Sequence, residues 1–256
     1  MRVDGVLLER LGHVRRAFLA AVSAVQDGTR ITAVRDALDA GDIEGAMAAV
    51  PWREIGEPAI AEQLIPRLAE VAAEAGRHAL RGLDVEDLGV VDRAALAYTQ
   101  AHGAELVTGI GDETMRALRI VGAEALDRGM SAQRTAQLIR GNIGLTERDS
   151  RAVLARQLKM EEVGARRKVI DGALSDFRAR LTQARAMMIA RTEPAIAVAQ
   201  GQRAAMEEAQ AEGLIDLAQA KTYPILSADP CERCIAIYEL NAQGVPFGEP
   251  FRDPDG

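Results

Sequence analysis

The chain has 256 residues, 48% of them hydrophobic and only 3% aromatic, enough for a real core in one large domain or two small ones. Its apolar content is mostly Ala, Leu and Val, which suits closely approaching helices and argues against a β-sandwich core. A net charge of −7 argues against a protein that coats duplex DNA with its whole surface, because such binding neutralises phosphates with Lys and Arg.

Leu7, Leu11, Val14, Phe18, Val22 and Val25 recur at three- and four-residue steps and predict an amphipathic helix ending near Asp27-Gly28. Ile31, Val34 and Leu38 repeat the pattern in a short helix stopped by Gly41. Asp42 can cap another that carries Ile43, Met47 and Val50 up to Pro51. Ile60, Leu64, Leu68, Val71 and Ala75 mark the next helix, with a kink expected at Pro66, which lacks a backbone donor. A further helix is expected from about Asp87 to Leu106. Gly109 and Gly111 then punctuate the chain, and Asp112 offers an N-cap to a helix bearing Met115, Leu118, Val121 and Ala125 up to Gly129.

Ser131 can cap a helix containing Leu138 and Ile139 that closes at Gly141, and Thr146 with Asp149 is a variant of the capping box opening the next. After an expected break at Gly172, Phe177, Leu181, Ala184 and Met188 form the face of a long helix. Pro194 is expected to kink that helix or to sit in the first turn of a new one capped by Thr192. Beyond Gly213 the periodicity fades, and Ile225, Ile235, Ile237, Tyr238, Val245 and Phe247 are interspersed with Pro, Gly, Asn and Asp, which reads as short strands and turns. The fold class is therefore mainly α, a multi-helix body with a small β or irregular C-terminal segment. The expected divisions are 1–108, 109–214 and 215–256.

No apolar run approaches the roughly twenty residues of a bilayer span, so no membrane is expected, and "MRVDGVLLERLG" does not read as a standard secretory signal. Trp52, Met187 and Met188 read as core or hinge packing. Arg166, Arg167 and Lys168 read as a solvated basic surface. Cys231 and Cys234 in "DPCERC" have the spacing by which a tight turn, here favoured by Asp229-Pro230, aims two thiolates at one Zn²⁺. They are half of a metal site: a closed structural site needs four ligands, no His or Cys follows Cys234, and His13, His78 and His102 lie far back in expected helices. No cofactor is expected, and zinc only with ligands from outside this chain. Free or locally paired thiols, completed zinc and a redox dithiol all remain open, although the βαβ setting of thioredoxin-like sites is absent. The two cysteines cannot staple a domain of this size, which fits synthesis in a reducing cytoplasm. On a regular helix Arg191 and Glu193 do not face each other, so Arg191, Thr192 and Glu193 read as a capped helix junction with a buried or interfacial salt bridge. No nucleophile–base constellation, phosphate loop or metalloprotease motif stands out, and no enzyme is expected.

Gly144-Leu145-Thr146, then Ile189-Ala190-Arg191-Thr192-Glu193, then Gly201 with Gly213, then Cys231 with Cys234 followed by "LNAQGVPFGEPF" occur in that order within residues 109–256. The series resembles the Mu F-like phage head morphogenesis family of minor head proteins, with residues 1–108 similar to the variable helical region that members carry. Tyr223 stands where the family pattern leads one to expect Trp. The closing Pro-, His- and Cys-rich segment expected after the last "PF" is missing, so a truncated chain is expected, and that segment would hold further zinc ligands. The resemblance implies a low-copy structural protein of the virion head or procapsid, assembled in the host cytoplasm. It implies binding to the portal protein, with scaffold, major capsid protein and packaged DNA as further candidate partners, and a candidate role in genome passage. It implies no small-molecule substrate. The alternatives from other classes are a redox or zinc-dependent enzyme using Cys231 and Cys234, and a helical DNA-binding regulator using the basic residues near Arg166.

Overall fold

The computed structural model describes residues 3–83, 85, 89–218, 220–224 and 231–255, the side chains of 3–11 and of 90 lying outside that description. The molecule is mainly α, as the periodicity predicts. Helix α1 (Val3–Gly28) buries Val14, Phe18, Val22 and Val25, while the expected Leu7 and Leu11 lie outside the described side chains. Helix α2 (Ile31–Asp39) buries Val34 and Leu38 and stops before Gly41. Asp42 then caps α3 (Ile43–Ala48), accepting the Gly45 N–H at 2.8 Å. A π-helical turn, Trp52–Gly56, leads directly into α4 (Glu57–Arg81). Pro66 does not interrupt α4, and it faces solvent.

Two expected helices are one. α5 (Gly89–Asp127) runs through Gly109, Gly111 and Asp112, so the break and the Asp112 cap do not form. The expected start at Asp87 lies outside the described residues. Two mid-helix glycines cost about 1 kcal/mol each relative to Ala, a penalty that tertiary packing can outweigh. Gly111 shows how: a Cβ there would lie 2.9 Å from Trp52 Cδ1 and from Glu57 Oε1, so the bare backbone is what lets α5 close onto the buried indole. The main core draws on both sides of the expected 108/109 division, joining Phe18, Trp52 and Leu64 to Leu118, Ile139, Ala190 and Ala205.

Ser131 occupies the N-cap position of α6 (Ala132–Asn142), but its backbone carbonyl rather than its hydroxyl meets the first N–H groups. Thr146 caps α7 (Glu147–Glu162) with its side chain, accepting the Asp149 N–H at 3.2 Å. A second, smaller cluster of Val121, Leu138, Leu145, Leu154, Ile170 and Leu174 forms around this helix.

Helix α8 (Arg167–Ala211) is 45 residues long and packs along α1, α4 and α5. It passes through Gly172, which is exposed, and through Pro194, so the expected break, the junction and the Thr192 cap are not formed. Its buried face carries Ile170, Leu174, Ala186, Ile189, Ala190 and Ala197, whereas Met188 is 56% exposed and Phe177 lies under the guanidinium groups of Arg156 and Arg180. Where α8 crosses α4 the two backbones nearly touch. A Cβ on Gly201 would lie 2.5 Å from Ala72 Cα, and one on Gly76 would lie 2.9 Å from Ala205 Cβ. Small residues at this crossing set the distance between the two helices.

After α8, strand β1 (Lys221–Thr222) pairs antiparallel with β2 (Val245–Pro246), with Thr222 opposite Val245. Between them lies a helix, α9 (Glu232–Leu240), so Ile235, Ile237 and Tyr238 are helical and not in strands as their type suggests. Start and stop signals outweigh that propensity: Cys231 occupies the N-cap, Glu232 lies in the first turn, and Asn241 terminates the helix. Buried Asn241 also ties α9 to the tail, donating to the Ile237 and Arg252 carbonyls and accepting the Arg252 N–H at 2.9 Å. Ile225 and the Asp229-Pro230 turn lie outside the described residues.

Candidate functional site

Cys231 and Cys234 meet at the start of α9, with their Sγ atoms 2.9 Å apart and both side chains exposed and free. The N-cap position makes this contact: the Cys234 N–H donates to Cys231 Sγ at 3.3 Å, as a serine hydroxyl oxygen would accept at an ordinary helix start. Hydrogen bonding from the Cys234 side chain, and then from its backbone, lowers the Cys231 pKa, while the contact with Cys231 raises that of Cys234. Arg233, between them, turns to the tail and pairs with Asp253 at 2.5 Å, which holds that carboxyl below its ordinary pKa. Among the described residues no group of three or more His, Cys, Asp or Glu side chains is placed to hold a metal ion. His78 and His102 sit on α4 and α5.

The Ile189 to Glu193 segment lies within α8 and splits by face. Ile189 and Ala190 are buried in the main core, Arg191 and Thr192 are exposed, and Glu193 is 8% exposed. Arg191 and Glu193 do not pair. Glu193 instead meets α5, its Oε2 lying 3.0 Å from His102 Nε2. Tyr98, one turn earlier on α5, stacks on the His102 ring with centroids 5.2 Å apart. The Tyr98 hydroxyl is buried without a hydrogen-bond partner among the described residues. Burial, and secondarily the charge of Glu193, pushes its pKa up to about 12. The sequence reading found Glu193 but not its partner. The Tyr98–His102 spacing of four marks one helix face, but nothing in the sequence links that face to a residue 91 positions away.

A second polar centre escaped the sequence reading. Arg185, with its side chain only 2% exposed, donates to Glu113 Oε2 at 2.6 Å, to the Gly144 carbonyl at 3.1 Å and to Thr114 Oγ1 at 3.3 Å, and its guanidinium lies over the Phe18 ring. Burial lowers its pKa, partly offset by Glu113. The group ties the Gly144 turn to α8 and α5. Gly144 needs its positive φ of 81° there, and an added Cβ would lie 2.4 Å from Val22 Cγ2. Nearby, Arg178 donates to buried Asn142 at 3.0 Å and lines an open cleft of about 360 Å³ with Ser23, Gln26 and Thr182. The side chains lining this cleft place no imidazole or carboxylate beside its hydroxyl groups.

Arg166, Arg167 and Lys168 are exposed at the start of α8, in keeping with a solvated surface, and Arg167 pairs with Asp171 at 3.0 Å. Among the described residues no helix is long and apolar enough to cross a membrane. No protein-family model, curated protein or solved structure matches the chain.

Proposed function

We propose that the chain is a minor head protein of a phage, joining the procapsid by binding the portal or its neighbours and acting without covalent chemistry. The observation that carries this reading is the ordered series from Gly144 through Ile189–Glu193 and Gly201 to Cys231 and Cys234. The fold supports treating the series as one unit, because most of its members serve helix packing: Gly144 receives Arg185, Ile189 and Ala190 enter the core, Glu193 meets His102, and Gly201 admits the α4 backbone. A rigid helical body of this kind suits docking, where a preformed surface limits the entropy lost on association.

The docking end in this proposal is the C-terminal unit. Helix α9 buries none of its residues, and Tyr223, Tyr238, Leu240 and Phe251 expose between 37% and 56% of their surface. Aromatic and apolar side chains of this type act as anchors in interfaces. The test is co-expression with phage portal, scaffold and capsid proteins, followed by co-purification. Retention of the chain by portal, and its loss on Tyr238→Asp with Leu240→Asp, is the expected result. No retention by portal, scaffold or capsid protein would reject the proposal.

A further inference from the structure

The thiol pair at the start of α9 has a geometry that head assembly does not require. We propose that Cys231 and Cys234 are a dithiol–disulfide couple that exchanges with small disulfides of the glutathione type, closing and opening a bond within the first turn of α9 while the helical body stays unchanged.

Three observations carry this. The Sγ atoms are 2.9 Å apart, so a bond of about 2.05 Å forms by a sub-ångström movement within a turn that already brings the residues together. Both cysteines are exposed, so a dissolved disulfide reaches either sulfur in line. The surroundings tolerate the change. Helix α9 buries none of its residues and lies outside the packing of α1, α4, α5 and α8, so local adjustment there costs little core contact. The Cys234 N–H donates to Cys231 Sγ at 3.3 Å and holds that sulfur facing its partner.

In the first step the Cys231 thiolate attacks one sulfur of oxidised glutathione. A Cys231–glutathione bond forms, the glutathione S–S bond breaks, and one glutathione leaves as a thiolate that takes a proton. In the second, Cys234, after losing its own proton, attacks Cys231 Sγ and the second glutathione leaves. Two protein thiols thereby lose two electrons and two protons in all, and oxidised glutathione becomes two reduced molecules. The reverse sequence reopens the pair.

The experiment uses the purified full chain, equilibrated with defined ratios of reduced to oxidised glutathione, acid-quenched and weighed by mass spectrometry. The expected product is a chain lighter by about 2 Da with no adduct, the link mapping to Cys231 and Cys234, and an unchanged far-UV circular dichroism spectrum. Cys234→Ser and Cys231→Ser should each stop at a single mixed disulfide. A stable adduct on both cysteines, a disulfide between two chains, or stoichiometric zinc that survives a mild chelator and blocks oxidation would overturn the proposal. None of these readouts involves portal or head particles, so the outcome is independent of the head-assembly proposal.

Discussion

Replacing Gly201 with Ala puts a methyl group where the α4 backbone already stands. The added Cβ would lie 2.5 Å from Ala72 Cα and 2.7 Å from its carbonyl carbon, closer than carbon atoms pack, and backbone cannot rotate aside as a side chain does. The long helix must shift away from α4 along the crossing that also holds Gly76 and Ala205. Overpacking of this kind costs about 1–3 kcal/mol, and a backbone obstacle places it at the upper end. Alanine returns about 1 kcal/mol through helix propensity, leaving a net loss of about 2 kcal/mol. For a chain of this length that is a fall in Tm of about 4–8 °C. Gly172→Ala is the matched control on the same helix. It is exposed with no heavy atom within 4 Å of the added Cβ, so only the propensity gain remains, a rise of about 2–4 °C. Thermal unfolding followed by far-UV circular dichroism measures both. Shifts of the same sign, or Gly201→Ala as stable as the parent, would refute the close crossing of α4 and α8.

Glu113→Gln leaves the Arg185 charge buried without its carboxylate; because Glu113 is itself 39% exposed, the expected loss is about 2 kcal/mol rather than the full cost of breaking a buried pair, read from chemical denaturation. Tyr98→Phe removes a buried hydroxyl that has no partner among the described residues, so at neutral pH stability should hold or rise by up to about 1 kcal/mol. The folded Tyr98 pKa of about 12 stands above the ordinary 10.0, so its contribution is complete below pH 10 and fades as pH climbs toward 12; the Phe variant should lack that alkaline loss and the matching ultraviolet titration step. Arg191→Glu, on an exposed face with no ion pair among the described residues, should change Tm by less than about 2 °C, and a larger fall would mean that the residue holds a helix junction after all.

Local signals in the sequence were read correctly where one short-range interaction decides the outcome. Asp42 and Thr146 cap helices through their own side chains, and Gly41 and Gly129 close helices in the left-handed conformation expected of such positions. The readings that failed involve residues whose effect depends on distant neighbours. Gly109, Gly111, Gly172 and Pro194 look like punctuation, yet α5 and α8 run through all four, because the packing of each helix as a whole, as where Gly111 meets Trp52, outweighs local penalties of about 1 kcal/mol for Gly and about 3 kcal/mol for Pro. Ile235, Ile237 and Tyr238 are strand-prone by type, but capping by Cys231 makes them helical. The cysteine pair was legible because its partners are three residues apart. Glu193 with His102, and Arg185 with Glu113, were not, since 91 and 72 residues separate the partners and only the packing of α5 against α8 joins them.

The proposed role is tested most directly by the protein content of purified heads. In that role, quantitative mass spectrometry of purified phage procapsids and filled heads should find the chain at low copy relative to the major capsid protein, and deleting its gene should lower the yield of infectious heads. Absence of the chain from every head particle, together with normal infectious yield after deletion, would contradict a role in head assembly.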